Sequence, residues 1–281
     1  MMIKASTALY GVLGHPVRHS LSPILHNAWI ESHGFDAAYV ALEIAPERFE
    51  VALAGLAASD FRGLNVTTPF KERAAAASST QSEIVARIKA ANCLTLKTGQ
   101  VHGDNTDGAG LVADLDARAP DWRDLDGPVI VLGSGGAARS ILSALTTILK
   151  RPIIVINRDQ VRAEETAQAF QPYPIQIGSW ADLPSFLAGA SLVINATSQG
   201  LNGLSPFSPD FAQLAPEAII YDTIYAPAKT AFIEAAEAVK RRSFNGIGML
   251  VGQGALSFEI WFGVRPDLHS GLTTLEGAMK L

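Results

Sequence analysis

Two short polar clusters carry the strongest chemical signal in the chain. The first, Asn65-Val-Thr67-Thr-Pro-Phe-Lys71, ends in a lysine. Thr68 and Pro69 read as the N-cap and first position of a helix, which puts Lys71 in its first turn. A cation there faces the positive end of the helix dipole, at a cost of roughly 0.3–1 kcal/mol. That destabilises the ammonium and suits a group that gives up a proton. The second cluster is Asp104-Asn-Thr106-Asp107-Gly108. Thr106 or Asp107 can cap the helix that follows. If the fold brings Asp107 to Lys71, the two form a proton donor with a carboxylate to orient it. If it does not, Asp107 is a cap and Lys71 a snorkelling surface side chain.

A different chemistry is written at Val129-Ile-Val-Leu-Gly133-Ser134-Gly135-Gly136-Ala137-Ala138. An apolar, β-branched run leads into G-x-G-x-x-A and then a helix, the dinucleotide-binding fingerprint in its expected context. Gly133 permits the tight turn, Gly135 lets backbone approach a pyrophosphate, and Ala138 lets the helix pack on the strand. The helix N-terminus then offers free N–H groups to the anion. The next strand ends at Ile156 and is followed by Asn157-Arg158-Asp159, with Arg162 close behind. Arginine at this point suits a 2′-phosphate, so Arg158 and Arg162 point to NADP. Asp159 is a carboxylate beside that phosphate and keeps NAD open.

Other chemistries have less support. His15 and His19 are four apart, but Pro16 lies between them, and no cysteine or carboxylate stands at ligand spacing. No metal site is expected. There is no G-x-S-x-G elbow, which argues against an α/β-hydrolase. Cys93 is the single cysteine, so an internal disulfide and a multi-cysteine zinc site are excluded. It reads as a small buried residue.

The elements that must hold these residues follow from composition and pattern. The chain has 281 residues, 48% hydrophobic and 17% charged, with a net charge of −5. This is core-forming material, and it lacks the basic field that a nucleic-acid partner requires. Apolar runs break at Gly, Pro or charge too early for a transmembrane helix, and the N-terminus makes a poor signal peptide. The expected setting is cytoplasmic, with no membrane partner. Strands are expected near 8–13, 39–44 and 63–67, and a hairpin around Thr98-Gly99. Helices are expected from Ser22, capped by that serine, and over 46–58 and 109–117. After residue 107 the texture changes. Strands at 129–132, 153–156, 192–194 and 219–221 alternate with helix or loop, which implies right-handed βαβ units and a parallel sheet. Two helical pieces around Pro266 close the chain.

Taken together and in order, these segments resemble the shikimate dehydrogenase family. The resemblance rests on Gly14-His-Pro-Val-Arg-His-Ser20-Leu-Ser22-Pro23, the two polar clusters and the glycine loop. It continues through Asn195-Ala-Thr197-Ser198-Gln-Gly-Leu201, Tyr221-Asp-Thr-Ile-Tyr225-Ala-Pro227 and Gly248-Met249-Leu-Val-Gly-Gln253. It implies a two-domain α/β fold. A substrate-binding domain with a mixed sheet would span 1–107 plus 248–281, and an NADP-binding Rossmann domain 108–247, the C-terminal helices returning to the first domain. It implies Lys71 and Asp107 as the catalytic pair. Ser20, Ser22, Asn65, Thr67, Asn92, Tyr225 and Gln253 would bind substrate. Gly133, Ser134, Gly135, Gly136, Ala137, Asn157, Arg158, Arg162, Thr197, Ser198, Gly248 and Met249 would bind cofactor. The implied reaction is reduction of 3-dehydroshikimate to shikimate, by a monomer or homodimer. The alternative is a relative that uses quinate, with NAD or with both cofactors. Ser22 favours shikimate, because quinate-using relatives tend to carry Thr there.

Overall fold

The computed structural model describes residues 3–201 and 205–279. Its contacts divide the chain into two compact units, one running to Gly110 and resuming at Leu250, the other Leu111–Met249. Both divisions fall inside helices, within three residues of the expected boundaries at 107/108 and 247/248 in the same two helices.

The first unit opens with β1 (Ala8–Gly14), α1 (Ser22–Ser32), β2 (Ala37–Glu43), a 3-10 turn at Pro46–Arg48, α2 (Phe49–Ala57) and β3 (Phe61–Val66). It continues with α3 (Lys71–Ala77), β4 (Thr80–Gln81), α4 (Glu83–Ile88), β5 (Cys93–Lys97), β6 (Gln100–Asp104) and the start of α5 (Asp107–Arg118). The six strands form one sheet in the order β2-β1-β3-β5-β6-β4. β1 runs parallel to β2 and β3, and β5 is antiparallel to both β3 and β6, so the sheet is mixed. Thr98 and Gly99 take positive φ at the β5–β6 turn, as the hairpin reading requires. Phe49, Leu64, Phe70, Val85 and Leu94 belong to one of its cores.

Two local expectations are corrected. Ser22 does not cap α1. Leu21 holds the cap position without a side-chain bond, and Ser22 is already the first helical residue. Thr68 and Pro69 do not open α3 either. Phe70 N–H bonds to Thr67 O at 2.9 Å, closing a turn first, and the helix begins at Lys71 itself.

The second unit contains β7 (Val129–Leu132), α6 (Gly136–Ile148), β8 (Ile153–Ile156), α7 (Gln160–Gln168), β9 (Ile175–Gly178) and α8 (Leu183–Leu187). Then come β10 (Leu192–Asn195), β11 (Ile219–Asp222), α9 (Ala231–Ala238) and β12 (Arg242–Phe244). Its sheet is wholly parallel, in the order β12-β11-β10-β7-β8-β9. Read from β9, this is the 3-2-1-4-5-6 order of a doubly wound dinucleotide fold. β7, β8, β10 and β11 are buried at every residue, because helices cover both faces of a parallel sheet.

Two helices end the chain, α10 (Ile247–Phe262) and α11 (Leu268–Met279). From Leu250 onward they belong to the first unit. Trp261 donates to Leu94 O at 3.1 Å, tying α10 to β5. No described helix is long and apolar enough to cross a membrane.

Candidate active site

β1 and β3 are parallel neighbours, so their C-terminal ends share one edge of the sheet. The antiparallel register sets Asn65 opposite Cys93, and Cys93 opposite Asp104. The segments after β1 and β3, before β5 and after β6 therefore gather at that edge. They carry Ser20 and Ser22, Thr67 and Lys71, Asn92, and Asp107.

Backbone bonds lace these segments together. His15 N–H bonds to Thr68 O at 3.0 Å, Thr67 N–H to Leu13 O at 2.9 Å, and Ala91 N–H to Lys71 O at 2.9 Å. Lys71 Nζ then reaches Asp107 Oδ2 at 2.5 Å. The Asp107 side chain is 7% exposed and that of Lys71 18%. An ammonium and a carboxylate are held together at the rim of a buried polar network.

Asn92 is the centre of that network. Its Nδ2 donates to Asp107 Oδ1 at 2.9 Å, Thr106 Oγ1 at 3.0 Å and Gln253 Oε1 at 3.2 Å. Its Oδ1 accepts from Thr106 N–H at 2.7 Å. Asn65 lies alongside, donating to Asn92 O and Ser257 Oγ and accepting from the Tyr39 hydroxyl at 2.7 Å. Ser20 and Ser22 share the turn into α1, where Ser22 N–H bonds to Ser20 Oγ at 3.3 Å. Of the expected substrate-site residues, Ser20, Ser22, Asn65, Thr67, Asn92 and Gln253 lie in the first unit with the pair, and Tyr225 lies in the second.

Sequence reading missed Tyr39, Thr106 in a bonding role, and Ser257. Ser257 had a usable signal, since it stands four residues after Gln253 on one helix and so shares its face. Its hydroxyl donates to Gln253 O at 3.0 Å. Tyr39 had none, because strand alternation says only that it points inward.

In the second unit Gly133 takes φ +107°, which a side chain tolerates poorly, and its N–H bonds to Ile156 O at 2.8 Å. Gly135 stands at the N-cap of α6, and a Cβ built there would meet nothing within 4 Å. That space, beside the unpaired N–H groups of the first helical turn, fits a pyrophosphate. Asn157 Nδ2 ties the two loops, bonding to Ser134 Oγ at 2.8 Å and to Asp159 O at 2.9 Å. Arg158 and Arg162 are exposed beside them. Asp159 has a structural role, since its carboxylate caps α7 by accepting from Arg162 N–H at 3.1 Å. Arg158 also borders a cavity of about 430 Å³ lined by Trp180, Leu183, Gln199 and Phe207.

Thr197 follows β10 and is held by Asn195, whose Oδ1 accepts from its N–H at 3.1 Å and its hydroxyl at 2.7 Å. Asn195 Nδ2 in turn donates to Asp222 Oδ1 at 3.0 Å. Burial raises the Asp222 carboxyl above its usual range, against hydrogen bonds from Thr230, Ile224 N–H and Asn195. Ser198 is exposed on the same loop, and Gly248 and Met249 form the first turn of α10. Among the described residues no His, Cys, Asp and Glu side chains cluster as metal ligands.

A parallel sheet in dinucleotide-binding order, a glycine turn with room for phosphate, and a lysine–carboxylate pair define a nicotinamide-dependent oxidoreductase. Three family models match the chain. The shikimate dehydrogenase substrate binding domain covers 12–94, shikimate / quinate 5-dehydrogenase 121–204, and the shikimate 5′-dehydrogenase C-terminal domain 246–275. The shikimate dehydrogenase (NADP(+)) of Rhodospirillum rubrum is 43% identical over 275 residues, covering 96% of this chain and 97% of that one. The crystal structure of shikimate dehydrogenase from Aquifex aeolicus superposes with a TM-score of 0.89 at 31% identity, covering 98% and 99%. The Thermus thermophilus enzyme in complex with NADP(H) and shikimate gives 0.85 at 34%, covering 96% and 99%. The chain belongs to the shikimate dehydrogenase family.

Proposed function

We propose that this chain catalyses the reversible, NADPH-dependent reduction of 3-dehydroshikimate to shikimate in aromatic amino-acid biosynthesis. The observation that carries the reading is Lys71 Nζ held on Asp107 Oδ2 at 2.5 Å, with Asn92 on the other carboxylate oxygen. When bound, NADPH supplies a hydride for the C3 carbonyl carbon. The carbonyl oxygen then needs one proton. Lys71 donates it from Nζ, and Asp107 holds that Nζ in place and compensates its charge. In the reverse direction Lys71 takes the proton of the C3 hydroxyl.

The remaining assignments extend this reading. Ser20 and Ser22 receive the substrate carboxylate, while Asn65, Thr67, Asn92, Tyr225 and Gln253 receive its hydroxyls. A site built to hydrogen-bond hydroxyls rejects analogues that lack them, because its own polar groups would be left unpaired. The glycine loop takes the pyrophosphate, Asn157, Arg158 and Arg162 the 2′-phosphate end, and Thr197, Ser198, Gly248 and Met249 the nicotinamide side. With Asp159 engaged in capping α7, the two arginines set the preference for NADP. We read the setting as cytoplasmic, the assembly as a monomer or homodimer, and the partner as a small molecule rather than nucleic acid.

The test is initial rates with shikimate and with quinate, each with NADP⁺ and with NAD⁺. A clear advantage for shikimate with NADP⁺ is expected. A preference for quinate or NAD⁺ would overturn the substrate or cofactor assignment.

A further inference from the structure

Tyr221 is fully buried at the third position of β11 and takes part in no step of the reaction above. Its hydroxyl is fully engaged. It donates to Asp114 Oδ2 at 2.6 Å and accepts from Met249 N–H at 3.1 Å. Met249 is in the first turn of α10, where backbone N–H groups have no partner within the helix. Tyr221 thus supplies from another strand the acceptor that a capping side chain would supply locally.

Asp114 is itself buried and held. Arg118 Nε donates to its Oδ1 at 2.8 Å, and Arg118 Nη2 bonds the other oxygen. Arg118 also reaches Asn245 O at 3.3 Å and stacks over Phe244 at 4.5 Å. The carboxylate lies so close to Gly248 that a Cβ there would stand 1.8 Å from Asp114 Oδ1. Gly248 is therefore glycine because Asp114 occupies the space of its side chain. Two further bonds fix the approach to this turn, Gly246 N–H to Ile224 O at 3.0 Å and Ile247 N–H to Asn245 Oδ1 at 3.3 Å. Burial first, and then the Asp114 charge, raise the Tyr221 phenol well above its usual range, so it remains a donor.

We infer that Tyr221, anchored on the Asp114–Arg118 pair, is a positioning residue that sets the Gly248–Met249 turn for the nicotinamide end of the cofactor. This rests on the function proposed above, which puts the nicotinamide at that turn. Asp114 stands seven residues after Asp107 on α5, about two helical turns along.

The test uses Tyr221→Phe in the full chain and two ligands, NADP⁺ and 2′,5′-ADP. The second has the phosphate and adenosine parts but no nicotinamide. Binding is read by calorimetry, apart from any turnover. The variant is expected to bind NADP⁺ roughly three- to tenfold more weakly and 2′,5′-ADP as the wild type does. Its kcat should fall while KM for shikimate holds. Unchanged NADP⁺ affinity would overturn the inference, as would equal weakening of both ligands, which marks a general loss of structure. Wild-type protein that neither binds NADP⁺ nor oxidises shikimate would instead sink the underlying function.

Discussion

Asn92 holds one oxygen of Asp107 and leaves the other to Lys71. Its Nδ2 stands 2.9 Å from Oδ1, and Lys71 Nζ stands 2.5 Å from Oδ2. The Asn92 amide cannot turn over, because its oxygen accepts from Thr106 N–H at 2.7 Å. The carboxylate is thereby aimed by a group that is itself fixed by backbone, which in the proposed reaction would keep the proton donor in register with the reacting oxygen.

In the proposed reaction, removing either member of the pair removes the proton path. Lys71→Ala and Asp107→Ala should each lower kcat for shikimate oxidation by about 10²–10⁴-fold, the usual worth of a positioned acid–base group. Absorbance at 340 nm follows the rate. Full activity in either variant would disprove that residue's role.

Arg158 and Asp159 are neighbours with separable roles. If Arg158 holds the 2′-phosphate as proposed, Arg158→Ala should raise KM for NADP⁺ about tenfold, as for the loss of one solvent-exposed charged contact, and leave KM for NAD⁺ unchanged. Asp159→Ala should leave the NADP⁺ preference in place and lower unfolding stability by about 1 kcal/mol through the lost α7 cap. Urea titration reads the second effect. An unchanged KM for NADP⁺ in Arg158→Ala would remove that residue from the phosphate site, and an unaltered urea midpoint in Asp159→Ala would remove the cap.

Central strands were legible because burial on both faces leaves an unbroken apolar run. Val129–Leu132 and Ile153–Ile156 match their expected limits residue for residue. Of the four edge strands, Ala37–Glu43 was expected at 39–44 and the other three were not legible. Among the described residues, Arg242–Phe244 pairs only with β11, Ile175–Gly178 only with β8, and Thr80–Gln81 only with β6, so their residues answer to a single neighbour. The start of α3 was misread because Thr-Pro is a helix-opening pair by local rule, and a turn closed by Thr67 O took precedence. The polar clusters could be seen as clusters. The hairpin that folds Asn92 and Asp107 to one edge was legible at Thr98-Gly99. That Lys71 meets them depends on β5 pairing with the distant β3, which no local pattern encodes.

Cys93 sits inside this edge and is fully buried. Burial pushes its thiol up to about 12, and the Asp104 and Asp107 charges add to this, against a hydrogen bond with Ser257. The thiolate is the reactive form, so the native protein should resist iodoacetamide at pH 8 and react stoichiometrically in urea. Mass spectrometry counts the adducts. Rapid native labelling would show that this edge opens to solvent.

His26 offers a test of the core of the first unit. It is fully buried, stacked on Tyr39 at 4.2 Å and 3°, and neither ring nitrogen has a hydrogen-bond partner. Burial lowers it from an ordinary 6.5 to about 3. The folded state therefore refuses a proton that the unfolded chain accepts. The stability this protects is complete above pH 6.5 and is lost as pH falls from 6.5 towards 3, by up to about 1.4 kcal/mol per unit. His26→Leu removes the titrating group and breaks no hydrogen bond. Its urea midpoint should be flatter than the wild type's between pH 6.5 and 5, where most carboxylates are still ionised in both proteins. Parallel curves over that interval would mean that His26 is protonated, and partnered, in the folded state.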